Sequence, residues 1–298
     1  MIELSGFISG SRKRTVFGMK SYRLEHPFSL SDTLKSGQLF HWEPFALDGV
    51  EGYAGCIGDS PPSWIAQRND SEVWISGPDL QSITRYFGLD QNVKAIHDTF
   101  PKDDEVLARA IDYCPGIRIA RQPLWECLAT FITSSLKQVA HIRAISLQIR
   151  KLYGACYQMN GKPFYAYPSP SVLAEVGEEQ LRACALGYRA KSLDLAAKAL
   201  ASGEIDLEAV EHELCESEAQ KELIRLHGVG EKVANCALLF GAGRWGAFPI
   251  DVWIERILRE HYRKRLKGRQ LQAWASNYFG RNAGYAQQYL FHFARKTL

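Results

Sequence analysis

Lys232 and Asp251 are the two residues whose types and positions could do chemistry together. Lys232 lies in the first turn of a predicted helix, and Asp251 directly precedes the next apolar helical pattern along the chain. The positive end of a helix dipole favours the neutral amine, which is the form of lysine that can attack carbon. A lysine and a carboxylate that face one cavity suit amine attack at a sugar carbon, with the carboxylate stabilising the positive charge that develops.

Asp251 and the nearby Cys236 also have ordinary structural explanations. Asp251 is expected to be an N-cap, and that structural role would by itself explain an aspartate at this position. Cys236 lies one helical turn after Lys232 on the same face. Its thiolate could pair with the ammonium, or the thiol could simply pack in the core.

Two glycines separated by one apolar residue precede Lys232, in the order Gly228, Val229 and Gly230. The segment joins two predicted helices, which together with it span about residues 217–241. It is typical of a hairpin whose backbone N–H groups face outward. Such groups at the start of a helix bind phosphate through hydrogen bonds and the helix dipole. Glycine is needed where a side chain would block close approach or resist positive φ. A glycine pair also ends many helices, so the motif by itself leaves a simple turn open.

The elements that must position these residues divide the chain into two parts. Three short alternating runs separated by turn residues predict an antiparallel sheet, at 53–57, 63–67 and 73–75. Helical periodicity begins near Asp79 and dominates after about residue 104. We therefore expect an α+β protein, with an N-terminal β-sheet domain with short helices over residues 1–104 and a mostly α-helical region over residues 105–298.

Composition excludes several classes of protein. Hydrophobic residues make up 46% of the chain, which is too many for a mainly disordered protein. No run approaches the roughly 18 uninterrupted apolar residues of a membrane helix, and residues 1–20 have no apolar stretch typical of a secretory signal. The seven cysteines stand singly, without a CxxC pair, which predicts reduced thiols and no metal framework. We expect an intracellular monomer without a membrane anchor, in the cytoplasm or nucleoid of a bacterium or the nucleus of a eukaryote.

The net charge of +3 is small, but the C-terminal part of the chain is strongly basic. From Arg259 onward a single acid, Glu260, stands among nine basic residues: Arg259, Arg263, Lys264, Arg265, Lys267, Arg269, Arg281, Arg295 and Lys296. Clustered Lys and Arg side chains bind nucleic-acid phosphates by releasing counterions. A solvated protein face can have the same composition, so both interpretations stay open.

Several dispersed stretches resemble one known family. Residues 226–256 resemble the helix-hairpin-helix, Gly-Val-Gly and catalytic Asp signature of the base-excision DNA glycosylases, the HhH-GPD superfamily. Within it, the 8-oxoguanine DNA glycosylase/lyase family is the best match, and the resemblance runs from roughly residue 20 to the C-terminus. Three further stretches carry it: Ser36-Gly37-Gln38-Leu39-Phe40-His41-Trp42, Leu186-Gly187-Tyr188-Arg189-Ala190 and Gly284-Tyr285-Ala286-Gln287-Gln288-Tyr289-Leu290-Phe291. Matches this dispersed are much harder to obtain by chance than one hairpin.

The resemblance implies a reaction on double-stranded DNA that contains oxidised guanine. Lys232 would attack the sugar C1′, expel the damaged base and form a Schiff base that permits β-elimination of the strand. Asp251 would position the lysine and stabilise positive charge on the sugar. This chemistry requires neither a metal nor an organic cofactor, because the amine itself is the nucleophile.

The resemblance also implies a pocket for the extruded base. The Gly37 carbonyl would accept the N7 hydrogen that oxidised guanine has and guanine lacks. Gln287 would read the Watson–Crick edge, and Cys236 and Phe291 would sandwich the two faces. The i,i+4 spacing of Gln287 and Phe291 places them on one helix face, as such a pocket requires.

The remaining DNA contacts implied by the family include both matches and departures. Gly228, Val229 and Gly230 would hold a phosphate, while Tyr188 and Arg189 would wedge the duplex and contact the orphaned base. Familiar members have an asparagine triplet where this chain has Leu136-Lys137-Gln138, and an arginine where it has His141. Leu136 could fill the gap left by the flipped base but cannot donate a hydrogen bond, and neutral His141 offers one donor. We therefore expect relaxed selectivity for cytosine opposite the lesion. Trp253 also replaces a histidine near the phosphate.

Two competing interpretations differ in what the chain should contain. Endonuclease-III-type and adenine-mismatch glycosylases carry a four-cysteine iron–sulfur loop after the catalytic Asp, but no cysteine follows Cys236 here. Alkylbase glycosylases share the layout but lack the hairpin lysine, so Lys232 favours the lyase-competent branch. A non-catalytic DNA-binding module would explain the glycines and the basic C-terminal part. It would not explain Lys232, Asp251 and the pocket residues together.

Overall fold

A computed structural model describes residues 18–134 and 138–297, and Leu136 lies outside these residues. The described chain begins with one antiparallel sheet of order β1-β5-β4-β3-β2. Its strands are β1 (Lys20–Arg23), β2 (Glu43–Leu47), β3 (Val50–Cys56), β4 (Pro62–Asn69) and β5 (Glu72–Ser76). The three predicted runs correspond to β3, β4 and β5. An N-terminal sheet followed by a mostly helical region confirms the predicted α+β class.

Short helices surround the sheet and longer ones follow it. They are α1 (Leu30–Lys35), α2 (Leu80–Tyr86), α3 (Val93–His97), α4 (Glu105–Tyr113), α5 (Leu124–Ser134), α6 (Val139–Tyr153), α7 (Pro170–Leu181), α8 (Arg189–Ala201), α9 (Leu207–His212), α10 (Glu216–Ile224), α11 (Glu231–Phe240), α12 (Val252–Glu260), α13 (Gly268–Phe279) and α14 (Ala283–Thr297). Aspartates cap several of them; Asp79, for example, accepts the N–H of Gln81 at the start of α2. In residues 18–134 and 138–297, every helix is too short or too polar to cross a lipid bilayer.

A second, two-stranded sheet interrupts the helical region, where the sequence predicts helices almost throughout. Strands β6 (Cys156–Met159) and β7 (Lys162–Tyr165) form a hairpin. Asn160 and Gly161 between them have φ of 45° and 81°, as a two-residue hairpin turn requires. Met159 and Phe164 pack with Trp64 of β4, so the hairpin extends the core of the first sheet. No strand is predicted from sequence in this segment, and the Asn-Gly pair is the signal that identifies the hairpin.

Helix α11 lies at the centre of the helical core. All its residues from 233 to 240 are buried, and it packs between α5 and α10. Helix α14 approaches it closely at Gly284, where a Cβ would lie 2.3 Å from Leu239 Cδ1. Ile96 and Phe100 pack into this same core, so residues before 104 contribute to both parts of the fold.

A buried polar cluster joins the sheet to the helices. Glu126 on α5 forms an ion pair with Arg150 on α6, and His41 Nδ1 lies 3.3 Å from Glu126 Oε1. The two side chains of the ion pair are only 2–3% exposed. Burial raises the pKa of Glu126, while the adjacent Arg150 guanidinium opposes that shift. Arg150 also donates to the Tyr165 carbonyl, which connects the cluster to β7.

Replacing Glu126 with Gln is expected to destabilise the fold by about 3–5 kcal/mol, because it leaves the Arg150 charge buried and unpaired. Urea unfolding followed by circular dichroism measures the change. The matched control is Asp98→Asn, which breaks an ion pair with Lys94 whose side chains are 59% and 77% exposed. That change should cost less than about 1 kcal/mol. Equal losses in the two variants would contradict a structural role for the buried pair.

Candidate active site

The turn between α10 and α11 owes its shape to Gly228. This residue has φ of 79°, and a Cβ on it would lie 2.3 Å from Ser192 Oγ. Gly230 has an extended backbone and is the N-cap of α11, with open space around its missing Cβ. Glycine is therefore sterically required only at Gly228, whereas Gly230 leaves the backbone at the helix start open to approach. Val229 between them is 5% exposed and anchors the turn in the core.

Lys232 projects from the first turn of α11 over an aromatic surface. Its Nζ lies 5.0 Å from the centroid of the Phe131 ring, which stacks in turn on Phe240. An ammonium over a ring face is stabilised by the ring quadrupole. Phe131 belongs to the apolar face of α5, so from sequence it is an ordinary core residue.

Asp251 is the N-cap of α12, as the sequence predicts. Its Oδ1 accepts the backbone N–H groups of Trp253 and Ile254, each at 3.0 Å. Burial raises the pKa of Asp251, and the two N–H groups and the positive charge of Lys232 oppose that rise. The carboxylate is thus held by backbone donors at the edge of the space that Lys232 also faces.

A small recess of about 50 Å³ brings together the residues that the sequence assigns to catalysis and to the base pocket. Its lining includes Gly37, Lys232, Cys236, Asp251, Gln287 and Phe291. The recess opens beside a larger cleft of about 860 Å³, whose lining includes Lys232, Asp251, Trp253, Phe291 and Arg295. Residues from opposite ends of the chain therefore meet at one place.

Helix α14 supplies one wall of the recess. Gln287 is 4% exposed, and its Oε1 is buried without a hydrogen-bond partner among the described residues. Phe291, one turn later, lies against Gly37, where a Cβ would come within 3.0 Å of the ring. The Arg295 guanidinium lies 5.4 Å from the centroid of the Phe291 ring, on the side of the larger cleft. The sequence gives Arg295 only as one of the basic residues of the C-terminal part.

The loop that carries Gly37 is held by the fully buried Gln38. The Gln38 side chain donates to the Arg118 carbonyl at 2.7 Å and accepts the Ala120 N–H at 2.8 Å. Gln122 donates back to the Gln38 carbonyl at 3.0 Å. These contacts fix the loop at the recess, with Gly37 itself at φ of 81°. The sequence motif marks Gln38, but its bracing role depends on partners about 80 positions away.

Cys236 faces the recess from α11, one turn beyond Lys232. Burial raises the pKa of Cys236 to about 11, although the Lys232 ammonium opposes that rise. Burial therefore favours the neutral thiol over a thiolate paired with the ammonium.

The expected DNA-contacting residues differ in exposure. Tyr188 is 66% exposed, whereas Arg189 is only 8% exposed. Arg189 donates to the Ile132 carbonyl at the end of α5 and to the Tyr188 hydroxyl. His141 is exposed in the first turn of α6. The two residues just before it, Val139 and Ala140, line the larger cleft.

The chain is similar to known DNA glycosylases over most of its length. A family model for the N-terminal domain of 8-oxoguanine DNA glycosylase matches residues 22–128. A protein from Methanothermobacter thermautotrophicus named probable N-glycosylase/DNA lyase is 33% identical over 217 residues, which cover 65% of this chain and 69% of that protein.

Solved structures share the whole architecture. MBOgg1 in complex with a low-affinity DNA ligand is 32% identical, with a TM-score of 0.85 over 94% of this chain and 99% of its own. The Clostridium acetobutylicum 8-oxoguanine glycosylase/lyase, bound to double-stranded DNA with cytosine opposite 8-oxoguanine, is 28% identical, with a TM-score of 0.83 over 94% and 98%. The sequence similarity and the shared fold together establish that the chain belongs to the 8-oxoguanine DNA glycosylase/lyase family, whose members are bifunctional base-excision enzymes.

Proposed function

We propose that this protein removes 8-oxoguanine from double-stranded DNA, with Lys232 as the nucleophile of both the glycosylase and the lyase steps. The observation that carries the proposal is the recess itself. It combines an amine, a carboxylate held by backbone donors, and the unsatisfied Oε1 of Gln287. A buried polar atom without a partner costs stability, so a ligand that satisfies it is the physical reason to keep it.

In the proposed reaction the neutral Lys232 amine attacks the sugar C1′. The C1′–N bond to the base breaks, and its electron pair leaves with the base. Opening of the sugar ring then gives a Schiff base between Nζ and C1′, which makes the C2′ hydrogen acidic. Loss of that proton expels the 3′ phosphate by β-elimination. Attack of this kind is nucleophilic catalysis, and it requires the amine to be free of its proton.

Asp251 is proposed to stabilise the positive charge that develops on the sugar. Its ionised carboxylate lies in a partly dehydrated site, where an electrostatic interaction is stronger than in water. The two N–H groups of α12 fix the carboxylate before the substrate arrives, so little reorganisation is required during the reaction. Lys232 and Asp251 line the same recess, which supports this pairing.

Recognition of the damaged base is proposed to combine Gly37, Gln287, Cys236 and Phe291. The Gly37 carbonyl would accept the N7 hydrogen of the oxidised base, and an unpaired acceptor there would disfavour guanine by roughly 1–3 kcal/mol. The recess of about 50 Å³ has room for a few water molecules rather than a purine. The base would therefore enter only as the Phe291 ring moves away from Gly37, leaving Cys236 on its other face.

The contacts to the duplex are proposed to come from the hairpin before α11 and from Tyr188 and Arg189 at the start of α8. The backbone at Gly228, Val229 and Gly230 would hold a phosphate at the start of α11. Tyr188 is exposed enough to enter the duplex. The buried Arg189 would hold the Tyr188 hydroxyl in place rather than reach the DNA itself. Leu136 and His141 would meet the orphaned base, with weaker selectivity than an asparagine and an arginine would give.

Replacing Lys232 with Gln is expected to abolish excision and the covalent adduct, because the amide cannot attack C1′. We expect a loss on the order of 10⁴-fold in single-turnover excision of 8-oxoguanine. Borohydride trapping on a lesion-bearing duplex should give no adduct, while salt-sensitive binding persists. Lys221→Gln, at an exposed lysine of α10, is the matched control and should leave both readouts unchanged. Wild-type excision by the Lys232 variant would refute the mechanism.

Replacing Asp251 with Asn separates charge from capping. Asn caps a helix as well as Asp, so the free energy of unfolding should change by less than about 1 kcal/mol. Loss of the charge should lower the excision rate by about 10²–10³-fold. The exposed N-cap Asp206 makes the same two backbone contacts at the start of α9, and Asp206→Asn controls for capping alone. An unchanged excision rate in the Asp251 variant would contradict the electrostatic role.

The excision rate of the wild type should fall as pH falls through the pKa of Asp251, because the ionised form is the active one. Burial raises that pKa, so the loss should begin at a higher pH than an ordinary aspartate would give. The Asp251→Asn variant should lack the part of this fall that the Asp251 carboxyl causes, and single-turnover rates across pH measure both profiles.

Excision of 8-oxoguanine is expected to differ by less than about tenfold among duplexes with C, A, G or T opposite the lesion. One well-placed polar contact is worth about 1–3 kcal/mol of base discrimination, and His141 has only one donor to offer. His141→Arg should raise the preference for cytosine, and His212→Arg, at an exposed histidine of α9, is the control. A large preference for cytosine in the wild type would show that other residues read the opposite base.

A further inference from the structure

We infer that the segment between α12 and α13 is a second phosphate-binding surface that continues the DNA contact of the hairpin along the duplex. We call it the basic loop, defined by Arg263, Lys264, Arg265 and Lys267, with Arg269 beside it in the first turn of α13. The inference rests on the proposed function for the placement of the duplex on the hairpin. The partner that it names is the phosphate backbone of the DNA that flanks the lesion.

The basic loop ends beside α11, the helix that carries Lys232. Arg269 Nε lies 3.3 Å from Glu231 Oε1, and Glu231 is the first residue of α11, next to Lys232. A second contact, between Asn235 Nδ2 and Gln272 Oε1 at 3.5 Å, places the N-terminal halves of α11 and α13 side by side. A phosphate backbone held at the start of α11 therefore passes close to the end of the basic loop.

The charges of the basic loop are available to a ligand. Arg263, Arg265 and Lys267 are exposed, whereas the exposed Arg269 is paired with Glu231. Within the part of the chain that the structure describes, no carboxylate forms an ion pair with residues 263–267. Arg256 and Arg259 on α12 differ, because Glu260 pairs with both. The unpaired charge is thus concentrated in the loop rather than spread over the helix.

The fold also restrains the basic loop. Tyr262, just before it, donates a hydrogen bond to Asp104 Oδ2 at 2.9 Å and packs against Trp274. Lys264 Nζ lies 4.7 Å from the centroid of the Trp274 ring. Charges on a segment fixed in this way lose less conformational entropy on binding than charges on a free tail. Continuity with the hairpin and this restraint together favour a duplex contact over a merely solvated face.

The test compares Arg263→Asn/Arg265→Gln/Lys267→Gln with a charge-matched control, Arg68→Gln/Lys94→Gln/Lys102→Gln. Asn is chosen at Arg263 because that residue has φ of 55°, which Asn tolerates. Lys264 and Arg269 stay in place because they contact Trp274 and Glu231. The control residues are exposed on the N-terminal part of the fold.

Binding to an undamaged duplex is measured by fluorescence anisotropy over a range of salt concentrations. Removing three phosphate contacts should reduce the slope of log K against log salt by about 2–3, whereas the control triple should keep the wild-type slope. Excision at saturating enzyme should stay within about twofold of wild type, because the loop does not touch the reacting atoms. A loop variant with the same slope as the control would overturn the inference.

Two lesion-bearing duplexes, each shortened on one side of the lesion, locate the contact. The loop variant should bind more weakly than the control on the duplex that keeps the flank contacted by the basic loop. On the duplex that lacks this flank, the two variants should bind equally. An equal deficit on both would overturn the claim that the surface continues from the hairpin. If the wild type neither excises nor forms an adduct while the salt slopes still differ, the proposed function fails and the phosphate surface stands.

Discussion

The site depends on one constraint, which is that a carboxylate has to be kept ionisable inside the fold. Burial raises the pKa of Asp251, and two backbone N–H groups at 3.0 Å offset part of that penalty. Because those donors belong to α12, the start of that helix is fixed relative to the carboxylate. The arrangement is an ordinary N-cap in geometry, but it is placed where Lys232 from α11 enters the same recess. A local capping rule would thus supply the preorganised charge that the proposed mechanism requires.

The rest of the fold fixes the positions of three separate segments relative to the Asp251 carboxylate. Gly284 lets α14 approach α11 closely, and this approach places Gln287 and Phe291 opposite Lys232. Gln38 holds the loop of Gly37 through buried hydrogen bonds to the chain around Arg118. Both devices are buried: Gly284 allows close packing, and Gln38 and Gln122 form hydrogen bonds between side chain and backbone. They restrict the positions of the recess walls, as the proposed recognition of one small chemical difference between bases would require.

Much of this arrangement follows from sequence, and the parts that do not have a common physical reason. The N-cap at Asp251 and the left-handed Gly228 are local features, so residue type and position suffice to predict them. The hairpin β6–β7 carries an equally local Asn-Gly signal, but its strands have only four residues each, too few for a clear alternating pattern. The brace at Gln38 and the burial of Arg189 depend on partners distant in sequence, which no local pattern reveals. The convergence of the recess residues was predictable only through resemblance to a family.

The recess residues are also a source of instability that the remainder of the fold has to offset. The unsatisfied Oε1 of Gln287 costs on the order of 1–3 kcal/mol, and a carboxyl group whose pKa is raised by burial is less stable ionised in the folded chain than in water. A bound base would satisfy the amide, and a positive charge on the sugar would stabilise the carboxylate. Under the proposed function, the free energy stored in these two groups would be released on the damaged nucleotide. The fully buried stretch of α11 supplies the apolar packing that makes such a site tolerable.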